Sequence, residues 1–252
     1  MTIPAFGMPN GKLGLSSQPT HTRSALYAYL TTLITMPTRL PPVTRNLLIA
    51  NVAVFLLQQI MHYTLVVHFA LWPWGPDHWT QLPDGSLTAI GFRPWQLVTY
   101  AFMHGNLQHI LFNMFALYMF GRAIEETFGP RNFTLYYFVC LLTAALTQLL
   151  VVYYFTHGFE PTLGASGAIF GLLLAFGMLY PQERLMLILL PIPIPAWLFV
   201  IGYGALELVL GVGGWQASVA HFAHLGGMLG GFLMIQYWRG KFPIKPKRRL
   251  LR

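Results

Sequence analysis

The chain has 252 residues, of which 55% are hydrophobic and only 9% charged, with a formal net charge of +8 and a mean hydropathy of +0.55. A water-soluble domain carries about 25% charged residues. A chain this poor in charge cannot cover a water-facing surface with polar groups, so lipid is the expected solvent for most of it.

Residues 1–40 are rich in Pro, Thr and Ser and are expected to be a flexible or interfacial N-terminal segment. Within them Leu26–Met36 is apolar but too short to span a bilayer. The forty residues match no signal peptide, so the first apolar run is expected to stay in the membrane. Pro41–Asn46 reads as a helix entry, with Thr44 as the N-cap. Six apolar segments follow, near 46–67, 104–124, 133–156, 165–180, 195–210 and 219–238. The predicted architecture is therefore an all-α polytopic membrane domain of six spans over 41–238, followed by a basic tail over 239–252. Leu185–Pro195 holds Pro191, Pro193 and Pro195 and is expected to be an extended lead-in to the fifth span.

Charge sets the orientation. With both termini on the cytoplasmic side, Lys12, Arg23, Arg39, Arg45, Arg122, Arg131, Arg184 and the tail cations Arg239, Lys241, Lys245, Lys247, Arg248, Arg249 and Arg252 all lie inside, and only Arg93 lies outside. This bias fits the positive-inside rule and an N-in, C-in topology. The tail is expected to meet anionic lipid, not nucleic acid, because no aromatic interleaving accompanies it. The 72–103 loop, outside, holds Trp72, Trp74, Trp79 and Trp95 and is expected to lie partly in the outer interface. The lone cysteine, Cys140, excludes an intrachain disulfide and is expected to serve packing.

Three polar clusters interrupt the apolar runs, where polar groups are expensive and suggest function. In Leu163–Ala168, Ser166 is flanked by the small residues Gly164, Ala165 and Gly167, which let a backbone and a substrate approach its hydroxyl closely. Ser166 opens a fifteen-residue span ending at Tyr180, only ~22 Å long against a ~30 Å core. It should therefore lie below the outer surface, with helix N-terminal amides nearby that favour an oxyanion. Gly167 and Gly171 also read as a helix-packing motif. In His221–Gly231, His224 is a candidate base, and Gly227 and Gly231, like Gly226 and Gly230, admit a neighbouring helix, expected to be the fourth. In Met103–Asn113, His109 and Asn113 are at i and i+4, share a helix face and both donate hydrogen bonds, as an oxyanion hole requires. His104 is rotated off that face and is expected to order the preceding loop. Metal binding by His104, His109 and His224 is a competing idea, but no HExxH, CxxC or carboxylate-supported His pair is visible, so no metal and no cofactor are expected. Glu207, near the outer end of the fifth span, reads as packing, gating or capping. The expected machinery is a Ser–His dyad without a carboxylate.

These residues together resemble the rhomboid family of intramembrane serine proteases. The resemblance runs over roughly 41–238 and rests on MHGNLQHILFN with His104, His109 and Asn113, on GASG around Ser166, on AHLGG with His224, and on GRAIEETFG at 121–129. It implies Ser166 as nucleophile, His224 as general base, an oxyanion hole of His109, Asn113 and the Ser166 amide, and Gly164 in the turn that presents Ser166. It implies transmembrane proteins as substrates, cut near the outer ends of their helices. Phe170 stands where many members carry a Tyr that stacks on the catalytic His, and the ring is expected to suffice. His221 lies three residues before His224, and the HxxGxxxG spacing selects His224. The Gly-rich loop Gly211–Ala217 is expected to cap the site. The bare six-span core suggests a prokaryotic inner membrane. Two rivals are a catalytically silent rhomboid-like protein that binds membrane clients and a small transporter. The latter would show inverted repeats, which are not visible here.

Overall fold

The computed structural model describes residues 40–186, 192–213, 220–246 and 250–251. The readings of 1–39 and of Gly214–Ala217 lie outside the described residues. Helix α1 (Pro42–Phe69) is followed by an antiparallel hairpin of β1 (His78–Gln81) and β2 (Leu87–Ile90). A short helix α2 (Gln96–Thr99) runs into a 3-10 turn, Tyr100–Phe102. Helix α3 (Leu107–Ala116) passes through a π turn, Leu117–Gly121, into α4 (Arg122–Phe128). Then come α5 (Pro130–Val151) with a π turn Val152–Thr156, α6 (Ser166–Leu179), the antiparallel strands β3 (Arg184–Met186) and β4 (Pro193–Pro195), α7 (Ala196–Val212) and α8 (His221–Trp238). All six apolar segments of the sequence coincide with helical stretches.

Two helical stretches, Pro42–Phe69 and Pro130–Thr156, are long and apolar enough to cross a membrane; Ser166–Leu179 and Ala196–Val212 are apolar but shorter. Large apolar side chains are widely exposed, among them Ile60 at 83%, Val212 at 74% and Ile201 at 62%. Such a surface suits lipid and not water.

Prolines and one glycine place the helix starts. Pro42 and Pro130 each stand in the first turn, where the missing N–H loses nothing. Gly129, at φ +75°, closes α4 with its N–H on Glu125 O (2.8 Å) and starts α5. Thr44 is not the N-cap of α1: Pro41 holds that position, and Thr44 is already helical. The cap comes from far along the chain. Buried Glu125 of α4 accepts from Val43 N–H (2.9 Å), Thr44 N–H (2.7 Å) and the Thr44 hydroxyl (2.8 Å). A carboxylate at a helix N-terminus satisfies orphan amides and opposes the positive dipole end. Glu125→Ala should destabilise the protein by about 2–3 kcal/mol, a fall in Tm of roughly 5–10 °C in detergent. Glu125→Gln should fall less, and an unchanged melt for the alanine variant would remove the role.

The core is α5 with α6 and α8. Tyr136, Tyr137, Phe133, Cys140, Leu141, Ala144 and Ala145 on α5 are all fully buried. Glycines bring the backbones together. A Cβ on Gly227 would collide with the Gly167 carbonyl oxygen, and one on Gly171 with the Cys140 sulfur. Cys140 is thus a packing residue. Gly226 and Gly230 face Thr147 and Thr143, and Gly231 faces Tyr136. That glycine face therefore serves the third helical stretch as well as the fourth, a partition the expected pairing with the fourth alone missed.

The 72–103 segment is more structured than a loop with four interfacial tryptophans. Trp79 and Trp95 are exposed at 73% and 50%, but Trp72 is buried and its Nε1–H donates to Val66 O and Val67 O (both 3.1 Å). Arg93 pairs through two nitrogens with Asp77 (2.9 and 2.8 Å) across the base of the hairpin, and its guanidinium holds the Asp77 carboxyl below the usual range. The described part of the lead-in to α7 is extended, with β3 paired antiparallel to β4. Gly211 and Val212 continue α7 instead of opening the capping loop.

Candidate functional site

Ser166 is the first residue of α6, so its amide lacks an intrahelical acceptor. The segment before it is pinned twice. Leu71 and Thr162 exchange backbone hydrogen bonds (3.1 and 2.9 Å), and Gly164 N–H donates to Tyr100 O (3.0 Å). Gly164 sits at φ +115°, which side chains rarely tolerate. The half-buried Ser166 hydroxyl lies 2.8 Å from His224 Nε2, and the pair spans α6 and α8. The close contact of Gly167 with Gly227 sets that spacing, and Gly167 itself lies against Ala144.

Phe170, one turn after Ser166, stacks on His224 with ring centroids 4.1 Å apart and planes 5° apart. Tyr203 of α7 packs behind Phe170 at 5.0 Å. The ring alone thus makes the stacking contact.

The expectation of a His without a carboxylate is wrong. Glu207, 3% exposed, accepts through Oε2 from His224 Nδ1–H (2.9 Å) and from His221 Nδ1–H (2.7 Å). A proton held on Nδ1 leaves the Nε2 lone pair free to accept the Ser166 proton. The arrangement is a Ser–His–Glu line with a second His on the same carboxylate oxygen. Its physical reason is packing: α7 lies beside α6 and α8, with Val200 and Ala196 against Leu173, and this turns Glu207 inward.

His109 and Asn113 do share a face, and they point at Gly164. A Cβ at Gly164 would stand 2.7 Å from His109 Nε2 and 3.4 Å from Asn113 Nδ2. The absent side chain leaves a small space with two donors on its wall. Asn113 Nδ2 is buried with no hydrogen-bond partner among the described residues, an uncommon state for a native amide. Asn106 caps α3, accepting from His109 N–H at 2.8 Å. Gly105 N–H points to His109 Nδ1 (3.4 Å), which leaves Nε2 as the protonated nitrogen facing the space. His104 is buried beside His109, rings 5.1 Å apart. Its backbone is gripped by Gln58 of α1, whose amide donates to His104 O (3.2 Å) and whose oxygen accepts from His104 N–H (3.0 Å).

Comparison with known proteins bears on this geometry. The Rhomboid domain profile matches residues 91–240. The chain is 32% identical over 161 residues to "Rhomboid protein 1, mitochondrial" of Saccharomyces cerevisiae, covering 60% of this chain and 43% of that protein. It is 31% identical over 152 residues to "Rhomboid protease GluP" of Bacillus subtilis, covering 59% and 27%. With the rat "Presenilin-associated rhomboid-like protein, mitochondrial" it shares 30% over 215 residues, 79% and 50% of the two chains. The matches thus span between about a quarter and a half of these relatives' lengths. The yeast and rat relatives carry mitochondrial names, which does not fit the expectation of a prokaryotic inner membrane. The matched residues, more than half of the chain, contain both Ser166 and His224, and the chain belongs to the rhomboid family of membrane proteins.

Proposed function

We propose that this protein is an intramembrane serine endopeptidase that cuts transmembrane helices of other membrane proteins near their outer ends. The observation that carries the reading is the 2.8 Å contact between Ser166 Oγ and His224 Nε2, beside an Asn113 amide unpartnered among the described residues. In this reading six helical stretches cross the bilayer with both termini cytoplasmic, in keeping with the cation distribution. The membrane is that of a bacterium or a mitochondrion, both represented among the relatives.

The chemistry needs no cofactor. Ser166 Oγ attacks the scissile carbonyl carbon while its proton passes to His224 Nε2. Glu207 holds the Nδ1–H and stabilises the imidazolium that forms. The carbonyl oxygen gains negative charge in the space at Gly164, where His109 Nε2–H, Asn113 Nδ2–H and the Ser166 amide donate to it. His224 returns the proton to the leaving nitrogen, and the C–N bond breaks. Water then attacks the acyl-serine with His224 as base, releasing the acid and restoring Ser166.

Detergent-purified wild type should cleave a model transmembrane substrate and should be labelled by a serine-directed phosphonate. Ser166→Ala should do neither. Wild type that neither cleaves nor labels would transfer the site to the client-binding, catalytically silent reading.

A further inference from the structure

We propose that Glu207, His221 and His224 form a binding site for a divalent transition-metal ion of the zinc type, and that an ion held there silences Ser166. Only the silencing rests on the protease reading; capture of the ion does not.

The donor set is the first argument. Each of the three residues offers one ligand atom, and these atoms lie within 4.8 Å of one another. Two imidazole nitrogens and one carboxylate oxygen are a zinc set that keeps a fourth position open. The second argument is rigidity. His221 and His224 stand one turn apart on α8, Glu207 stands on the facing α7, and all three are under 9% exposed. Ligands on helices are held better than ligands on loops. The third is distance. The carboxylate oxygen lies 2.7 and 2.9 Å from the two Nδ1 atoms. Tetrahedral ligands at Zn–N and Zn–O lengths of about 2.1 Å stand about 3.4 Å apart, so these pairs need open by about 0.5–0.7 Å. The Glu207 charge offsets one of the ion's two in a region where charge is expensive.

The consequence follows from the tautomer. Nδ1 of His224 now carries its proton toward Glu207. An ion on the two Nδ1 atoms moves each ring's proton to its own Nε2, with no net gain or loss. Nε2 then donates to Ser166 Oγ and can no longer accept its proton, so the nucleophile is not activated. The ion acts as a reversible inhibitor and takes no part in hydrolysis.

Binding is read apart from activity by titrating full-length Ser166→Ala in detergent with Co2+ and following the visible absorption of the protein-bound ion. One saturable Co2+ per chain, displaced by Zn2+, is expected. Glu207→Gln and His221→Gln, each in that background, should raise the Co2+ dissociation constant at least tenfold, whereas His62→Gln and His157→Gln should leave it unchanged. No saturable band, or a band indifferent to the first two substitutions, overturns the site. In active wild type, Zn2+ should stop cleavage and a chelator should restore it, with His221→Gln needing at least tenfold more Zn2+. Binding without inhibition overturns the silencing. A wild type inactive in metal-free buffer would count against the protease reading and not against the site.

Discussion

His224→Ala is expected to lower kcat on the order of 10^5-fold, whereas His221→Ala should lower it by only about 10- to 100-fold, the worth of one hydrogen bond to a charged group. Both imidazoles touch the same Glu207 oxygen, and they lie on one stretch of α8, so sequence position alone barely separates them. Geometry does. His224 pairs with Ser166, and Phe170 stacks on its ring. His221 sits edge-on to it, centroids 6.5 Å apart at 89°. Initial rates on a transmembrane substrate, with phosphonate labelling in parallel, measure the difference. His221→Ala as damaging as His224→Ala would reassign the base.

Gly164→Ala should remove activity by about 10^2–10^3-fold through loss of oxyanion stabilisation. One added methyl group would press on His109 Nε2 and approach Asn113 Nδ2, filling the space that the developing charge would occupy. The same methyl group would strain a backbone at φ +115°, by about 1–3 kcal/mol. Loss of kcat in a protein that still melts cooperatively would identify the pocket. Gly202→Ala, on α7 with open space at its Cα, is the matched control and should keep wild-type rates. Full activity in Gly164→Ala would place the oxyanion elsewhere.

Ser166, His224, His109 and Asn113 were legible because each is a polar residue breaking an apolar run, and because glycines beside them advertise close helix contact. The helix-face rule paired His109 with Asn113, and Gly164 confirms their common direction. Glu207 was not legible as a partner of His224. It is one acid in an apolar segment, 17 residues away, and only the packing of α7 against α6 and α8 decides which way it faces. Thr44 misled for a related reason: it has the composition of a local cap, but a carboxylate 81 residues onward fills that role. Trp72 looked like an interface anchor because composition does not reveal that Val66 and Val67 carbonyls accept its N–H. Periodicity and composition report what a segment is; they do not report which distant segment lies beside it.

The carboxylate of Glu125 also imposes an order on how the molecule is put together. Synthesis runs from the N-terminus, and α1 emerges long before α4. The Val43 and Thr44 amides therefore spend the making of some eighty residues without their acceptor. Until α4 arrives, the N-terminal end of α1 can fray. Arrival of Glu125 fixes that end, and with it the helix that carries Gln58, which grips the backbone at His104. The start of α1 is thus registered after the fact, by α4.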